Sequence, residues 1–140
     1  MEASYRLISG SAAGIVALAA PVGPLVACAA GCIAADFAAG VAASRAEARK
    51  AGRRWYFESC EAWRTLRKLA LASTAIVMAG SLDGCLEGVV RLDLARIFAG
   101  FACGVELWSF LENAATISDA PLFRVLRRYA RRRIAKEVER

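Results

Sequence analysis

Between Arg6 and Asp36 the sequence has no charged residue, which leaves an uncharged interval of 29 residues. An apolar stretch of more than about 18 residues is a candidate transmembrane helix. Lipid offers backbone N–H and C=O groups no hydrogen-bonding partner, so only helices and closed barrels cross it. A barrel strand requires a long alternation of polar and apolar residues, which this sequence does not show. The interval therefore predicts helices rather than strands.

Composition extends this prediction to the whole chain. Its 140 residues are 58% hydrophobic, which is more apolar surface than a soluble core of this length can enclose. We therefore predict an all-α integral membrane protein that forms one membrane domain over residues 1–140.

Proline divides the uncharged interval into two helices. Pro21 and Pro24 remove backbone donors and disfavour helix just before each of them, so we predict a short apolar helix over 6–20 and a span over 24–43. The short helix falls below the about 20 residues that a full crossing requires. A fourth crossing, a re-entrant helix and an interfacial helix all stay open. The segment 17–19 also matches a signal-peptide cleavage pattern, so removal of the short helix is a further alternative.

Basic residues frame two further predicted spans, over 69–90 and 97–117. Arg and Lys gather in two blocks, 45–68 and 124–140, each with eight basic residues. Basic blocks beside apolar spans are typical of cytoplasmic loops, so we predict the basic loop and the C-terminus inside, with 91–96 outside. The net charge of +6 also raises nucleic-acid binding, but the position of these charges beside apolar spans argues against it.

Both basic blocks have the composition of membrane-surface segments. Aromatic residues lie among the arginines of 44–68, as is typical of the headgroup level. Residues 120–140 predict an amphipathic basic helix on an anionic lipid surface, with a merely solvated tail as the alternative. The predicted membrane-surface residues are Arg53, Arg54, Trp55, Trp63, Arg127, Arg128, Arg131 and Arg132.

Small residues recur four positions apart in the apolar segments. Such spacing lets helix backbones approach closely in lipid, where no hydrophobic force drives helices together. It predicts helix–helix association, including a row of three glycines near residue 84. The predicted helix-packing residues are Gly10, Gly14, Gly31, Gly40, Gly80, Gly84, Gly88, Gly100 and Gly104.

Polar residues also lie within the predicted spans, where an ionised side chain costs about 2.5–3.5 kcal/mol at the bilayer centre. Such residues are expected to face protein or water. Asp83, Glu87 and Arg91 follow four-residue steps, which predicts one helical stripe and a Glu87–Arg91 pair. Two interpretations stay open: intramolecular pairing within a bundle, or a polar surface between subunits that water can reach. The predicted intramembrane polar residues are Asp36, Asp83, Glu87, Arg91, Glu106, Ser109, Glu112 and Asn113.

The sequence lacks the side chains of common catalytic sites. It has no histidine, no nucleotide-binding loop and no paired catalytic set, so we predict that the protein is not an enzyme. Cys28 and Cys32 share a predicted helix face, but no second thiol pair completes a tetrahedral metal site. We therefore predict no metal and no cofactor, with the five cysteines as small apolar packing residues.

Two segments together resemble a known family. "ADFAAGVAASRAEARKAGRRWYFESCEAWRTLRKLALA" and "VELWSFLENAATISDAPLF" are similar to segments of small phage holins of the toxin-secretion/phage-lysis type, especially those from Bacteroidales. The resemblance covers about residues 20–133. Its matching positions are Asp36, Gly40, Ala43, Glu106, Ser109, Glu112 and Asn113.

The resemblance implies a homo-oligomer in the bacterial inner membrane. Such proteins cluster into lesions that release a cell-wall-degrading endolysin, or export a toxin, and so lyse the host. The endolysin would be a functional partner without necessary direct contact. One segment departs from the family pattern, since "SLDGCLEG" replaces a more apolar stretch. The alternatives are a membrane scaffold or curvature-inducing subunit, and a small ion channel.

Overall fold

A computed structural model describes residues 2–118 and, further along the chain, Phe123, Val125, Arg128, Tyr129 and Arg132. Over the described residues the chain is helical, without strands, so the all-α prediction is confirmed. The elements in chain order are α1 (Glu2–Ala19), a 3-10 turn (Ala20–Val22), α2 (Gly23–Lys50), α3 (Ser59–Leu86) and α4 (Leu94–Ile117).

Three of the described helical segments are long and apolar enough to cross a membrane. They are Ala20–Lys50, Ser59–Leu86 and Leu94–Ile117. The chain therefore has the architecture of a multi-pass helical membrane protein, as its composition predicts. The basic helix predicted over 120–140 lies largely outside the described residues, of which the five beyond residue 118 have helical backbone.

The helices differ from the predicted spans at their basic ends. The α2 helix continues seven residues past the predicted end at residue 43, and α3 begins ten residues before residue 69. Arg, Lys, Glu and Ala favour helix nearly as well as any residues do, so the helices extend beyond their apolar parts. The predicted interfacial segment 44–68 is therefore the end of one helix, a loop over 51–58 and the start of the next.

Gly52 terminates α2 in a Schellman motif. Its φ of +64° lies in the left-handed region, which glycine adopts without a Cβ clash. Its N–H bonds to Arg49 O at 3.2 Å, and Arg53 N–H bonds to Ala48 O at 2.9 Å. These two bonds satisfy carbonyls that the helix end would otherwise leave free. At the other end of α2, Pro21 lies in the 3-10 turn and Pro24 in the first turn of the helix, where proline is tolerated.

Contacts between helices fix their directions. Cys28 lies against Cys103 and Asp36 against Asn113, so α2 and α4 run parallel. Because Lys68 lies against Asp36 and Gly80 against Val22, α3 runs antiparallel to them.

The two ends of the bundle therefore differ. The loop over 51–58 and the end of α4 share one end, here called the basic end. The 3-10 turn and the loop over 87–93 share the other, here called the hairpin end. The α2–α3 loop and the end of α4 therefore lie at the same end of the bundle. This arrangement agrees with the prediction that the spans over 69–90 and 97–117 form a hairpin between the two basic blocks.

The core between the spans consists mainly of alanine. Small residues let helices approach closely. In lipid the hydrophobic effect does not drive helices together, so van der Waals packing between close helices stabilises the bundle. At the hairpin end the buried cluster is formed by Val22, Ala29, Ile76, Ala79, Ala95 and Ala99. Larger apolar side chains point outward, as Leu71, Met78 and Phe101 do, which suits contact with lipid.

Candidate functional site

Two charged side chains are buried within the described part of the chain. Asp36 is 8% exposed and Glu106 is 6% exposed. Asp36 is the fourteenth of the 28 residues of α2, and Glu106 is the thirteenth of the 24 residues of α4. Both carboxylates therefore lie near the midpoints of their helices.

Lys68 of α3 joins the two buried acids. Its Nζ donates a hydrogen bond to Glu106 Oε2 at 2.9 Å and lies 3.8 Å from Asp36 Oδ2. Asn113 Nδ2 donates to Asp36 Oδ1 at 2.9 Å. We call these four residues, Asp36, Lys68, Glu106 and Asn113, the central cluster. Since they come from all three span-length helices, their contacts connect the whole bundle.

The charges of the central cluster do not balance. Two ionised carboxylates against one ammonium leave a formal charge of −1. The lysine side chain is 44% exposed, whereas the aspartate and glutamate side chains are 11% and 8% exposed. The cation therefore enters from the edge of the bundle and holds two anions that face inward. Removal of one partner from a buried pair leaves an uncompensated charge, which is far costlier than the pair itself.

A polar cleft of about 450 Å³ adjoins the central cluster. Asp36, Lys68 and Asn113 line it at mid-bundle, and Glu47, Glu61 and Thr116 line it toward the basic end. A space of this size with polar walls can hold ordered water. The cleft thus provides a polar route from the basic end to the middle of the bundle.

The structure brings together three of the predicted polar residues: Asp36, Glu106 and Asn113. Two others on α4 lie apart from them. Ser109 is half-buried outside the hydrogen bonds of the central cluster, and Glu112 is exposed. The spacing of the polar residues along α4 therefore does not show which of them share a hydrogen-bonding partner.

Asp83 lies at the hairpin end and accepts hydrogen bonds from backbone. Leu94 N–H donates to its Oδ1 at 3.0 Å and Ala95 N–H to its Oδ2 at 2.9 Å. The first N–H groups of a helix have no partner inside that helix, and a carboxylate there also opposes the positive end of the helix dipole. Asp83 of α3 therefore caps α4, which accounts for an acid in an apolar helix.

The prediction that Asp83, Glu87 and Arg91 form one helical stripe is wrong, because only Asp83 lies on a helix. The α3 helix ends at Leu86, so Glu87 and Arg91 lie in the exposed loop over 87–93 and do not share a helix face. Gly88 lies in the same loop with a φ of +96°, a value that favours glycine. The loop turns here because glycine permits the left-handed backbone that ends the helix.

The predicted helix-packing glycines fall into two groups. A Cβ at Gly80 would collide with the Val22 side chain, and a Cβ at Gly40 would lie 3.5 Å from Asn113 Nδ2. Gly80 therefore permits a close contact inside the bundle, whereas a Cβ at Gly40 would make an ordinary van der Waals contact. The other helical glycines of the set have open space where a Cβ would stand: Gly10, Gly14, Gly31, Gly84, Gly100 and Gly104. The row of three from Gly80 to Gly88 is thus not one packing face.

Four of the predicted membrane-surface residues lie at the basic end: Arg53, Arg54, Trp55 and Trp63. Trp55 Nε1 donates to Ser44 Oγ at 3.1 Å, and the Arg45 guanidinium lies 4.4 Å from the Trp55 ring centre, within cation–π range. Arg53, Arg54 and Trp63 are exposed. In the C-terminal segment, Arg128 and Arg132 are exposed, whereas Arg127 and Arg131 lie outside the described residues.

Lys68 is the residue of the central cluster that sequence reasoning missed. Its position among the basic residues of 45–68 predicts a surface residue. The signal lay in the helix boundary: with α3 starting at Ser59, Lys68 is more than two turns inside the helix and is followed directly by apolar residues.

No protein-family model matches this chain, and no curated protein or solved structure matches it either. Its function must therefore be argued from the central cluster, the adjoining cleft and the outward-facing glycines.

Proposed function

We propose that the chain is a holin-like protein that oligomerises in the bacterial inner membrane and opens lesions through which an endolysin, or a toxin, passes. The basic end faces the cytoplasm in this proposal, as basic residues beside spans usually do. The protein acts by assembly and not by chemistry, with lipid and further copies of itself as its direct partners.

The central cluster is the observation that carries the proposal. Its acids are satisfied inside one bundle by Lys68 and Asn113, so a single copy keeps both carboxylates away from lipid. The same groups can be satisfied by water if the helices separate and several copies enclose an aqueous lesion. A polar surface with two such environments fits a protein that stays harmless until it assembles.

Outward-facing glycines on α4 support the assembly step. Gly100 and Gly104 lie one turn apart, and no atom stands within 4 Å of where their Cβ atoms would be. Because they face away from their own bundle, a helix of another copy can approach there. Small residues four apart let helix backbones approach closely in membranes.

A second candidate function is a small cation channel. The observation that favours it is the cleft of about 450 Å³ that reaches Asp36 from the basic end. Carboxylates at membrane depth beside water are typical of ion pathways. In this alternative the cleft widens into a pore for small ions, without lesions that pass protein.

A lysis experiment separates these functions. The full chain is induced in bacteria that also make a cytosolic endolysin without a signal peptide, while membrane potential and turbidity are followed. A holin collapses the potential abruptly after a delay, and turbidity then falls only when endolysin is present. Depolarisation without endolysin-dependent lysis would favour the channel. If neither depolarisation nor lysis occurs, a scaffold role is favoured.

Crosslinking in membranes tests the assembly surface. Gly104→Leu should shorten the ladder of crosslinked oligomers and delay lysis, because the added side chain keeps helices apart. Ala70→Leu is the control, since Ala70 is exposed on α3 and the substitution places the same leucine side chain on another helix. Equal ladders for Gly104→Leu and the unaltered chain would contradict the assignment of the α4 face.

A further inference from the structure

Three cysteines from two helices meet near the hairpin end. Cys28 and Cys32 lie one turn apart on α2, and Cys103 of α4 faces them, with the Sγ atoms of Cys28 and Cys103 3.9 Å apart. All three sulfurs lie within 4.8 Å of one another. We call these residues the thiol cluster. Sequence spacing predicts the first two on one face, but the third depends on the packing of α4.

Alanine packing brings the thiol cluster together. The parallel helices α2 and α4 approach closely because Ala29 and Ala99 are small and almost fully buried, at 2% and 3% exposure. Cys28 is exposed, whereas Cys32 and Cys103 are half-buried. The sulfurs are therefore held in place by the bundle and remain accessible from its surface.

The donor set selects a soft ion that accepts three ligands. Thiolates favour soft metals such as Cu(I). Structural zinc sites are almost always tetrahedral with four protein ligands, whereas this group of the described residues offers three sulfurs and neither histidine nor carboxylate. Cu(I) accepts two or three sulfurs without a fourth ligand.

Copper binding releases protons, because the thiolate and not the thiol is the metal ligand. One Cu(I) ion held by three thiolates displaces three protons and gives a centre with a formal charge of −2, and the copper keeps its oxidation state throughout. A divalent ion with the same three ligands would have a smaller negative charge, so the assignment to Cu(I) depends on the softness and the number of the sulfurs.

We propose that Cys28, Cys32 and Cys103 form a three-sulfur binding site for one Cu(I) ion. The site joins α2 to α4 at a level different from that of the central cluster, so copper binding fixes the relative position of these helices. This property is independent of the proposed lysis function.

The test uses the full chain in detergent, reduced and kept free of oxygen, with Cu(I) supplied from a coloured competitor chelator. We expect one copper ion per chain. Cys28→Ser, Cys32→Ser and Cys103→Ser should each weaken binding more than about tenfold, since even outer-shell changes reach that size. Cys60→Ser and Cys85→Ser are matched controls, because both residues lie outside the thiol cluster, and they should bind as the unaltered chain does.

Circular dichroism separates lost ligands from lost folding. A serine variant that loses helical signal is replaced by the alanine variant at the same position. The proposal is overturned if the unaltered chain binds no copper, or if the two control variants lose copper to the same extent as the cluster variants.

Arsenite binding provides a second test of the thiol cluster. Arsenous acid condenses with three thiols and releases three water molecules, so its uptake reports whether the three sulfurs can converge on one atom. The mass of the intact chain would rise by one arsenic atom less three hydrogens. Uptake of both probes with the same cysteine dependence supports the proposed site. Uptake of arsenite without copper would overturn the assignment to Cu(I).

Discussion

The central cluster and the capping site at Asp83 both hold carboxylates within apolar helices, but they satisfy them differently. At mid-bundle, Asp36 and Glu106 depend on side chains of other helices, chiefly Lys68. At the hairpin end, Asp83 accepts two backbone N–H groups of α4. A backbone partner is fixed as long as the helix exists, whereas a side-chain partner can be lost or exchanged for water.

The comparison indicates which acids can take part in a change of state. Asp83 is tied to the fold of the α3–α4 hairpin and has little freedom to serve as a switch. The central cluster has a formal charge of −1, a half-exposed cation and a polar cleft beside it. Any rearrangement that exposes polar surface is therefore expected at mid-bundle and not at the hairpin end.

The largest expected effect follows from removal of the shared cation. Lys68→Met should lower the free energy of unfolding in detergent by about 3 kcal/mol, at the lower end of the range for a broken buried pair because the lysine is half-exposed. Arg67→Met is the control, since Arg67 is exposed beside it, and it should change stability by less than about 0.5 kcal/mol. Equal effects of the two substitutions would show that the central cluster does not hold the bundle together.

An intermediate effect is expected at the hairpin end, where packing and not charge is tested. Gly80→Ala should destabilise the chain by about 1–3 kcal/mol, because the new methyl group collides with the Val22 side chain in a packed core. At Gly84 there is open space for a Cβ, and alanine is a better helix former than glycine. The midpoint temperature of thermal unfolding should therefore be unchanged or slightly higher in Gly84→Ala. A Gly80→Ala protein as stable as Gly84→Ala would contradict the close approach at Val22.

The smallest expected effect concerns the cap. Asp83→Ala should cost about 1 kcal/mol, the usual value for loss of a capping side chain, whereas Glu87→Ala in the exposed loop should be neutral. Both variants should keep the onset time of lysis once equal amounts of folded protein are compared. A changed onset with unchanged stability for Asp83→Ala would remove the distinction between the two acidic sites.

Much of the architecture could be predicted from sequence because lipid imposes simple rules. The uncharged interval before Asp36 and the two later apolar segments fix helices as the spanning elements. Their ends could not be placed equally well, because Arg, Lys and Glu at residues 45–50 and 59–68 are compatible with both a surface loop and a helix. Hydropathy shows where the apolar part of a segment ends. The helix continues beyond that point because the polar residues there also favour helix.

The sites were predictable only in part, since spacing along one helix does not give partners on another. Asp36, Glu106 and Asn113 could be selected as polar residues in apolar surroundings. Lys68 could not be joined to them without the packing of α3, and Cys103 could not be joined to Cys28 without the packing of α4. The prediction of a stripe from Asp83 to Arg91 failed because α3 ends at Leu86. The actual partners of Asp83 are backbone N–H groups of α4, which a residue pattern does not reveal.

The two cysteines outside the thiol cluster have a practical consequence. Cys60 is the second residue of α3 and Cys85 is its last but one, and both are exposed. The sequence therefore places one exposed thiol at each end of the bundle. In intact cells a reagent unable to enter them should tag only one of the pair, and the identity of the tagged residue would give the orientation of the protein in its membrane.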